Sequence, residues 1–135
     1  MPKFSTESKI KLASCHPDLQ KIFNIAIEQI DFRIVEGHRG KEAQEKAFAN
    51  GNSQVHFPHG KHNASPSNAV DALILPVDFN LSKTTNLVRY YHFAGLIKGI
   101  ALAHNIDIRW GGDFNNNQTF DDDKFLDMPH FELIK

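Results

Sequence analysis

The spacing of apolar residues along the chain predicts three helices and four strands. Over residues 17–30, apolar side chains recur at alternating steps of three and one, which places them on one face of a helix. They are Leu19, Ile22, Phe23, Ala26, Ile27 and Ile30. Further helices are predicted over residues 41–50 and 84–105. Short apolar or alternating runs predict strands over residues 32–36, 69–75, 106–110 and 130–134.

The order and lengths of these elements indicate the fold class. Helices alternate with strands, but the strands are short and long polar loops separate them, over residues 52–68 and 111–126. This pattern is typical of an α+β domain in which helices pack on a small, mostly antiparallel sheet. The chain has 135 residues and no internal repeat or linker, so we expect residues 1–135 to form a single domain.

Charge and composition exclude several classes of function. The 15 Lys and Arg residues against 16 Asp and Glu residues give a net charge of −1, which argues against a nucleic-acid partner. No apolar run reaches the roughly 18–20 residues that span a membrane, so we expect no membrane insertion. The one cysteine, Cys15, stands in no nucleophile motif, and we expect neither an intrachain disulfide nor thiol catalysis.

Asp71 is the first candidate for chemistry, because it interrupts the apolar strand predicted over residues 69–75. A buried carboxylate is costly unless it is paired, so Asp71 needs a salt bridge, a set of backbone hydrogen bonds or a metal ion. His62, nine residues earlier, and His130, at the start of the last strand, are candidate co-ligands. Two histidines and one carboxylate leave a zinc position open for water, as a catalytic site requires.

The motifs around these residues resemble those of the D-alanyl-D-alanine carboxypeptidase family, which includes phage endolysins of the L-alanyl-D-glutamate peptidase type. Gly60-Lys61-His62, Ala69-Val70-Asp71 and Asp127-Met128-Pro129-His130 are similar to the zinc motifs of that family. The loop between the first two ligands differs in length from that of the family, which often has a tighter loop with a glycine. Here the loop carries Ser65-Pro66-Ser67.

Two further segments extend the resemblance over most of the chain, from about residue 17 to residue 135. They are Glu36-Gly37-His38-Arg39, followed by a helix with Ala43-Gln44, and Arg109-Trp110-Gly111-Gly112-Asp113-Phe114. The resemblance implies the fold of the D-alanyl-D-alanine peptidases and Hedgehog domains.

The resemblance also implies roles for five residues. His62, Asp71 and His130 would hold Zn²⁺, Asp127 would act as general base, and Arg39 would stabilise the developing oxyanion. The alternatives are a turn-capping role for Asp127 and a surface salt bridge for Arg39. Glu132 shares a strand face with His130 and competes with Asp127 as the base, and otherwise is expected to support a metal ligand.

The remaining histidines receive no ligand role. His16 is expected to be a surface or capping residue, His38, His56 and His59 could line the substrate site, and His92 and His104 fall on or at the end of the long helix. The oxygen-rich loop 113–123 is interpreted as a solvated acidic loop, with a regulatory Ca²⁺ site as the alternative. Asp113 could instead orient a ligand histidine.

The functional hypothesis is a phage-type endolysin, a zinc peptidase that hydrolyses the peptidoglycan stem peptide at the L-alanyl-D-glutamate bond and degrades the host cell wall. The alternatives are a D-alanyl-D-alanine carboxypeptidase or dipeptidase, and a non-catalytic zinc-binding module. The N-terminal residues lack the apolar segment of a signal peptide, so we expect synthesis in a host cytoplasm and action on the wall after release. We also expect a monomer.

Overall fold

A computed structural model describes residues 2–80, 82–118 and 127–134 of the protein. These residues form four helices and four strands. In chain order they are α1 Thr6–Ala13, α2 Pro17–Ala26, β1 Phe32–Glu36, α3 Lys41–Ala49, β2 Ala69–Ile74, α4 Thr84–Ala103, β3 Ile108–Trp110 and β4 His130–Leu133. A short 3-10 turn, Lys61–Asn63, precedes β2.

The four strands form one antiparallel sheet in the order β1-β2-β4-β3. The two central strands therefore carry Asp71 and His130, which lie opposite each other in the register of β2 and β4. On the outer side of β4, Glu132 lies opposite Arg109 of β3. This architecture confirms the expected α+β fold with a small antiparallel sheet.

Aromatic rings join the sheet to the helices on its covered face. Phe131 of β4 contacts Phe23 of α2 and Phe93 of α4 edge to face, with ring centroids 5.6 and 5.9 Å apart. Phe32 of β1 extends this cluster, 4.9 Å from the Phe93 ring. Because successive side chains of a strand point to opposite faces, the neighbours of Phe131 in β4 point away from this core. The helices thus leave one face of the central strands available for polar groups.

Helix α1 was not predicted from the sequence. The Ser5 hydroxyl caps it by accepting a hydrogen bond from the backbone N–H of Ser8 (3.2 Å). Only Ser8 and Leu12 are buried in this helix, so its apolar stripe is too narrow to be recognised. The Ser8 hydroxyl accepts a hydrogen bond from the N–H of Ile34 (3.0 Å), which attaches α1 to the edge strand β1.

The predicted boundaries differ from the observed ones mainly at α2. The helix ends at Ala26, whereas the apolar spacing predicted that it continues to residue 30. Ile27 remains buried and Ile30 packs against the core from the turn that follows, so apolar spacing alone overestimates the helix. No helix among the described residues is long and apolar enough to cross a membrane.

Candidate active site

Two candidate ligands stand on the neighbouring central strands of the sheet. Asp71 of β2 and His130 of β4 are cross-strand partners, and Nδ1 of His130 lies 3.1 Å from Oδ1 of Asp71. Side chains opposite each other in an antiparallel pair are close enough to interact directly. The sheet register alone therefore brings a carboxylate and an imidazole together, although 59 residues separate them in sequence.

His62 reaches the same carboxylate from the 3-10 turn Lys61–Asn63. Its Nδ1 lies 2.7 Å from the carbonyl oxygen of Gly37, and since a carbonyl can only accept, Nδ1–H is the donor. In the neutral ring, Nε2 then carries the lone pair, and it lies 3.2 Å from Oδ1 of Asp71. The carbonyl of Gly37 thus fixes the tautomer that a metal ligand needs.

These three side chains fit a divalent metal. One potential ligand atom from each of His62, Asp71 and His130 lies within 4.8 Å of the others. Both histidines are buried and Asp71 is half-buried. Two imidazole nitrogens and one carboxylate oxygen form a common zinc ligand set that leaves a coordination position free. Because each of the three atoms can only accept while it is unprotonated, their convergence requires a cation or a proton among them.

The charges of the protein favour a proton on His130. Burial lowers the pKa of His130, but its hydrogen bonds with Asp71 and Glu132 outweigh burial and raise that pKa to about 10. Burial raises the pKa of Asp71, yet its interactions with His130 and His62 outweigh burial and hold that pKa well below its usual range. A metal ion that binds here must displace the proton, because coordination needs the lone pair of Nδ1.

Glu132 holds His130 from the side opposite Asp71. Its Oε1 lies 2.8 Å from Nε2 of His130, and both residues are buried. Arg109 flanks the pair, with Nη1 3.7 Å from Oε2 of Glu132. Burial raises the pKa of Glu132, but the hydrogen bond and charge of His130 outweigh it, and the net pKa is lowered. A carboxylate at the distal ring nitrogen orients a ligand histidine and increases its basicity.

Arg39 lies beside the cluster with its guanidinium largely buried. Its Nη2 is 3.8 Å from Oδ2 of Asp71, and its Nε is 3.4 Å from Oε2 of Glu36. The backbone N–H of Arg39 donates a hydrogen bond to the carbonyl of His62 (2.7 Å). The side chain is 12% exposed, so its pairing with Glu36 is not that of a surface salt bridge. This hydrogen bond ties the backbone of Arg39 to the turn that carries His62.

Asp127 occupies the turn that leads into β4. Its backbone N–H donates to the carbonyl of Gly111 (2.8 Å), and its carbonyl accepts from the N–H of His130 (3.0 Å). Its Oδ2 lies 4.0 Å from Nδ1 of His130, on the Asp71 side of that ring. Burial and the charge of Asp71 raise the pKa of Asp127 to about 6. A Cβ at Gly111 would collide with the Asp127 carbonyl, so the turn requires glycine there.

An open groove of about 550 Å³ runs over the cluster. Its lining includes Arg39, Lys61, Phe114, Asp127 and residues 52–55. His62, His130 and Glu132 also line it. The groove has the size of a site for several residues of a peptide, since ligand pockets typically enclose about 300–1,000 Å³.

The sequence pattern of the phage L-alanyl-D-glutamate peptidase family matches residues 1–134. The chain belongs to this family. No curated protein sequence matches it. Among solved structures, it is similar to the crystal structure of Serratia marcescens L-Ala D-Glu endopeptidase ChiX, with a TM-score of 0.71 and 23% identity. That alignment covers 98% of this chain and 90% of ChiX, and it confirms the fold of this family member.

The family match confirms the resemblance inferred from the motifs. The structure brings His62, Asp71 and His130 together and places Arg39 and Asp127 beside them. Metal binding and catalysis by these five residues stay predictions. Glu132, which competed for the role of base, pairs with the ring nitrogen of His130 that faces away from Asp71.

Two polar residues that support the site were not recognised from the sequence. Gln44 and Asn63 are buried and hydrogen-bonded to each other, and both contact Arg39. Gln44 lies in a segment that resembles the family, but the resemblance implies no role for it. A polar residue on a charged helix gives no sequence signal of burial, so only the assembled fold identifies it.

The other candidate residues have separate partners. His16 caps α2 by accepting from the N–H of Asp18 (3.0 Å), as expected. His38 Nδ1 is bonded to the carbonyl of Ala64, and His59 lines the groove. Burial raises the pKa of the Cys15 thiol to about 12, which agrees with the expectation that it is not a nucleophile.

Asp113 does not orient a candidate ligand histidine through any hydrogen bond among the described residues. Its Oδ2 accepts from the N–H of Gln118 (2.9 Å), and its buried Oδ1 has no hydrogen-bond partner within the described part of the chain. Much of the loop 113–123, including Asp121, Asp122 and Asp123, lies outside the described residues. The Ca²⁺ alternative therefore stays a prediction.

Proposed function

We propose that this protein is a zinc-dependent peptidase that hydrolyses the bond between L-alanine and D-glutamate in the peptidoglycan stem peptide. Membership of the phage L-alanyl-D-glutamate peptidase family supports the bond and the substrate. The observation that carries the proposal is the convergence of His62, Asp71 and His130 beside an open groove that both histidines line. This set of two histidines and one carboxylate is that of a hydrolytic zinc site rather than a closed structural one.

The proposed chemistry combines the metal with two side chains of the groove. A zinc ion held by the three residues would polarise the scissile carbonyl and acidify a water molecule. Asp127, on the Asp71 side of His130, takes the proton from the attacking water and delivers it to the leaving amine. Its raised pKa, about 6, is suited to both transfers near neutral pH.

Arg39 is proposed to stabilise the oxyanion that forms as water adds to the carbonyl. Its guanidinium is largely buried, held on one side by Glu36 and on the other by Asp71. A charge fixed in advance at the site of developing negative charge lowers the barrier, because it does not have to reorganise during the reaction. Glu132 is assigned the support of His130 rather than proton transfer, since its hydrogen bond is to the ring nitrogen that faces away from Asp71.

We also propose that the protein serves as an endolysin, which degrades the bacterial wall during host lysis. The phage origin of the family supports this role. The D-alanyl-D-alanine carboxypeptidase alternative would use the same metal site, but the family match favours the L-alanyl-D-glutamate bond.

The decisive variant for catalysis is Asp127→Asn, which removes the proposed base but keeps the shape of the side chain. We expect it to bind zinc as the wild type does, by elemental analysis, and to lose hydrolysis by roughly 100-fold or more. Asp18→Asn, at the exposed start of α2, is the matched control and should keep full activity. Normal hydrolysis by Asp127→Asn would refute the assignment of the base and move Glu132 into that role. A wild-type protein that binds zinc but cleaves nothing would favour the binding-module alternative.

A further inference from the structure

Gln44 is a buried polar side chain on a helix, α3, whose other residues are exposed or half-buried. It is the only buried residue of α3 and is 1% exposed, whereas its neighbours on the helix are more exposed. Burying an amide costs free energy unless its hydrogen bonds are satisfied. The hydrogen-bond partners of Gln44 therefore indicate its role. Gln44 also lines the groove, next to the candidate metal cluster.

The Gln44 amide uses its full hydrogen-bonding capacity. Its Oε1 accepts from Nη1 of Arg39 and from Nδ2 of Asn63, both at 3.1 Å. Its Nε2 donates to the hydroxyl of Ser53 (2.9 Å) and to the carbonyl of Val55 (2.8 Å). Arg39 can only donate and the Val55 carbonyl can only accept, so the amide has one permitted orientation.

The surrounding backbone is shaped to keep this amide in place. Gly60 comes so close that a Cβ there would lie 2.7 Å from Oδ1 of Asn63 and 3.0 Å from Oε1 of Gln44. Asn63 in turn donates to the carbonyl of Arg39 (3.0 Å) and accepts from the N–H of Gly60 (2.8 Å). The turn that carries His62 is thus tied to Arg39 through Asn63.

We infer that Gln44 is a positioning residue that locks the Arg39 guanidinium and links it to the groove wall at residues 53–55. The inference rests on the proposed function, in which Arg39 stabilises the oxyanion. Glu36 and Asp71 hold the guanidinium at longer distances, 3.4 and 3.8 Å, so Gln44 makes its shortest side-chain contact among the described residues. Contact between a bound peptide and residues 53–55 would therefore be transmitted through Gln44 to Arg39, the residue proposed to stabilise the oxyanion of that peptide.

The test compares Gln44→Met with a matched control on the same helix. Met has nearly the same length but none of the four hydrogen bonds. Glu45→Gln is the control, because Glu45 bonds to the next two residues of the same loop, His56 (2.8 Å) and the N–H of Phe57 (2.9 Å), without contacting Arg39. We expect Gln44→Met to lower kcat by about 10- to 100-fold with zinc content unchanged, since misplacing a catalytic group by about 1 Å has effects of that size. Glu45→Gln should keep kcat within about twofold.

Two further variants separate positioning from a general structural role. In an Arg39→Ala background, Gln44→Met should cause no further loss of kcat, because its effect passes through Arg39. Gln44→Glu keeps an acceptor for Arg39 but places an oxygen against the Val55 carbonyl. It should therefore retain kcat and raise KM, and it remains informative where Gln44→Met does not fold.

Wild-type kcat in Gln44→Met, an additive loss in the Arg39→Ala background, or a loss of kcat in Gln44→Glu with unchanged KM would each overturn the inference. The proposed function fails separately, when the wild-type protein itself releases no peptide from peptidoglycan.

Discussion

Replacing Glu132 by Gln tests the assigned support of His130 without disturbing the packing of β4. In the wild type, a carboxylate oxygen lies 2.8 Å from Nε2 of His130, and both side chains are buried. The Gln side chain has the same shape, and its amide oxygen still accepts a hydrogen bond from Nε2–H. The substitution therefore removes the negative charge behind the ligand and leaves the geometry intact.

The expected loss of metal affinity follows from the difference between two kinds of hydrogen bond. A neutral hydrogen bond contributes about 1 kcal/mol net, and one with a charged partner about 1.5–3 kcal/mol. The difference, about 0.5–2 kcal/mol, corresponds to a rise of roughly 2- to 30-fold in the Kd for zinc. Removing the acceptor completely, as in Glu132→Ala, should weaken binding by up to about 100-fold.

The assay is competition for zinc between the protein and a chromophoric chelator at fixed pH. The matched control is Glu45→Gln, because Glu45 makes an equally short pair, 2.8 Å, with His56, but on the surface and away from the cluster. We expect that control to bind zinc like the wild type. Unchanged zinc affinity in Glu132→Gln, or an equal loss in Glu45→Gln, would show that the Glu132 carboxylate does not support His130 as a zinc ligand.

Three further results are expected. His130→Ala should lose stoichiometric zinc by elemental analysis, and retained metal would contradict the ligand assignment. Because the pKa of His130 is about 10, the ring is protonated at neutral pH, and zinc binding there should release about one proton; the release should diminish as the pH rises through about 10. Calorimetry in buffers of different ionisation enthalpy measures it, and the absence of any buffer dependence would contradict it. Gly111→Ala should destabilise the protein by about 1–3 kcal/mol in chemical denaturation, because the added Cβ collides with the Asp127 carbonyl. Gly99→Ala, in the interior of α4 with open space around it, should instead stabilise the helix by up to about 1 kcal/mol, and equal effects of the two substitutions would count against the packing argument.

The elements of the sheet were predictable because their apolar patterns are strong. The run Ala69–Ile74 is apolar except for Asp71. The apolar run predicts a buried strand, and the single carboxylate within it predicts a candidate ligand. Helix α1 escaped prediction because one of its two buried residues is Ser8, a polar residue that hydrogen-bonds to β1 and carries no apolar signal. The end of α2 was misplaced because Ile27 and Ile30 remain packed against the core after the helix has ended.

The sequence predicts which residues could form the candidate site, but not the hydrogen-bond network that holds them in place. The motifs singled out His62, Asp71 and His130, and the register of β2 and β4 supplies a physical reason for the pairing of the last two. The hydrogen bonds of Gln44 to the loop at Ser53 and to Arg39 depend on how α3 packs, which no local pattern of the sequence encodes. The role of a residue that depends on such contacts can be recognised only from the three-dimensional structure.

The most direct test of the account is digestion of purified peptidoglycan by zinc-loaded and by chelator-treated protein, with the products identified by mass spectrometry. We expect new L-alanine carboxyl ends and D-glutamate amino ends with the zinc-loaded protein, their loss after chelation and their return when zinc is restored. Release of D-alanine alone would contradict the proposed bond while leaving the metal site in place. Cleavage that is unaffected by chelation would contradict the central claim that His62, Asp71 and His130 hold a catalytic metal.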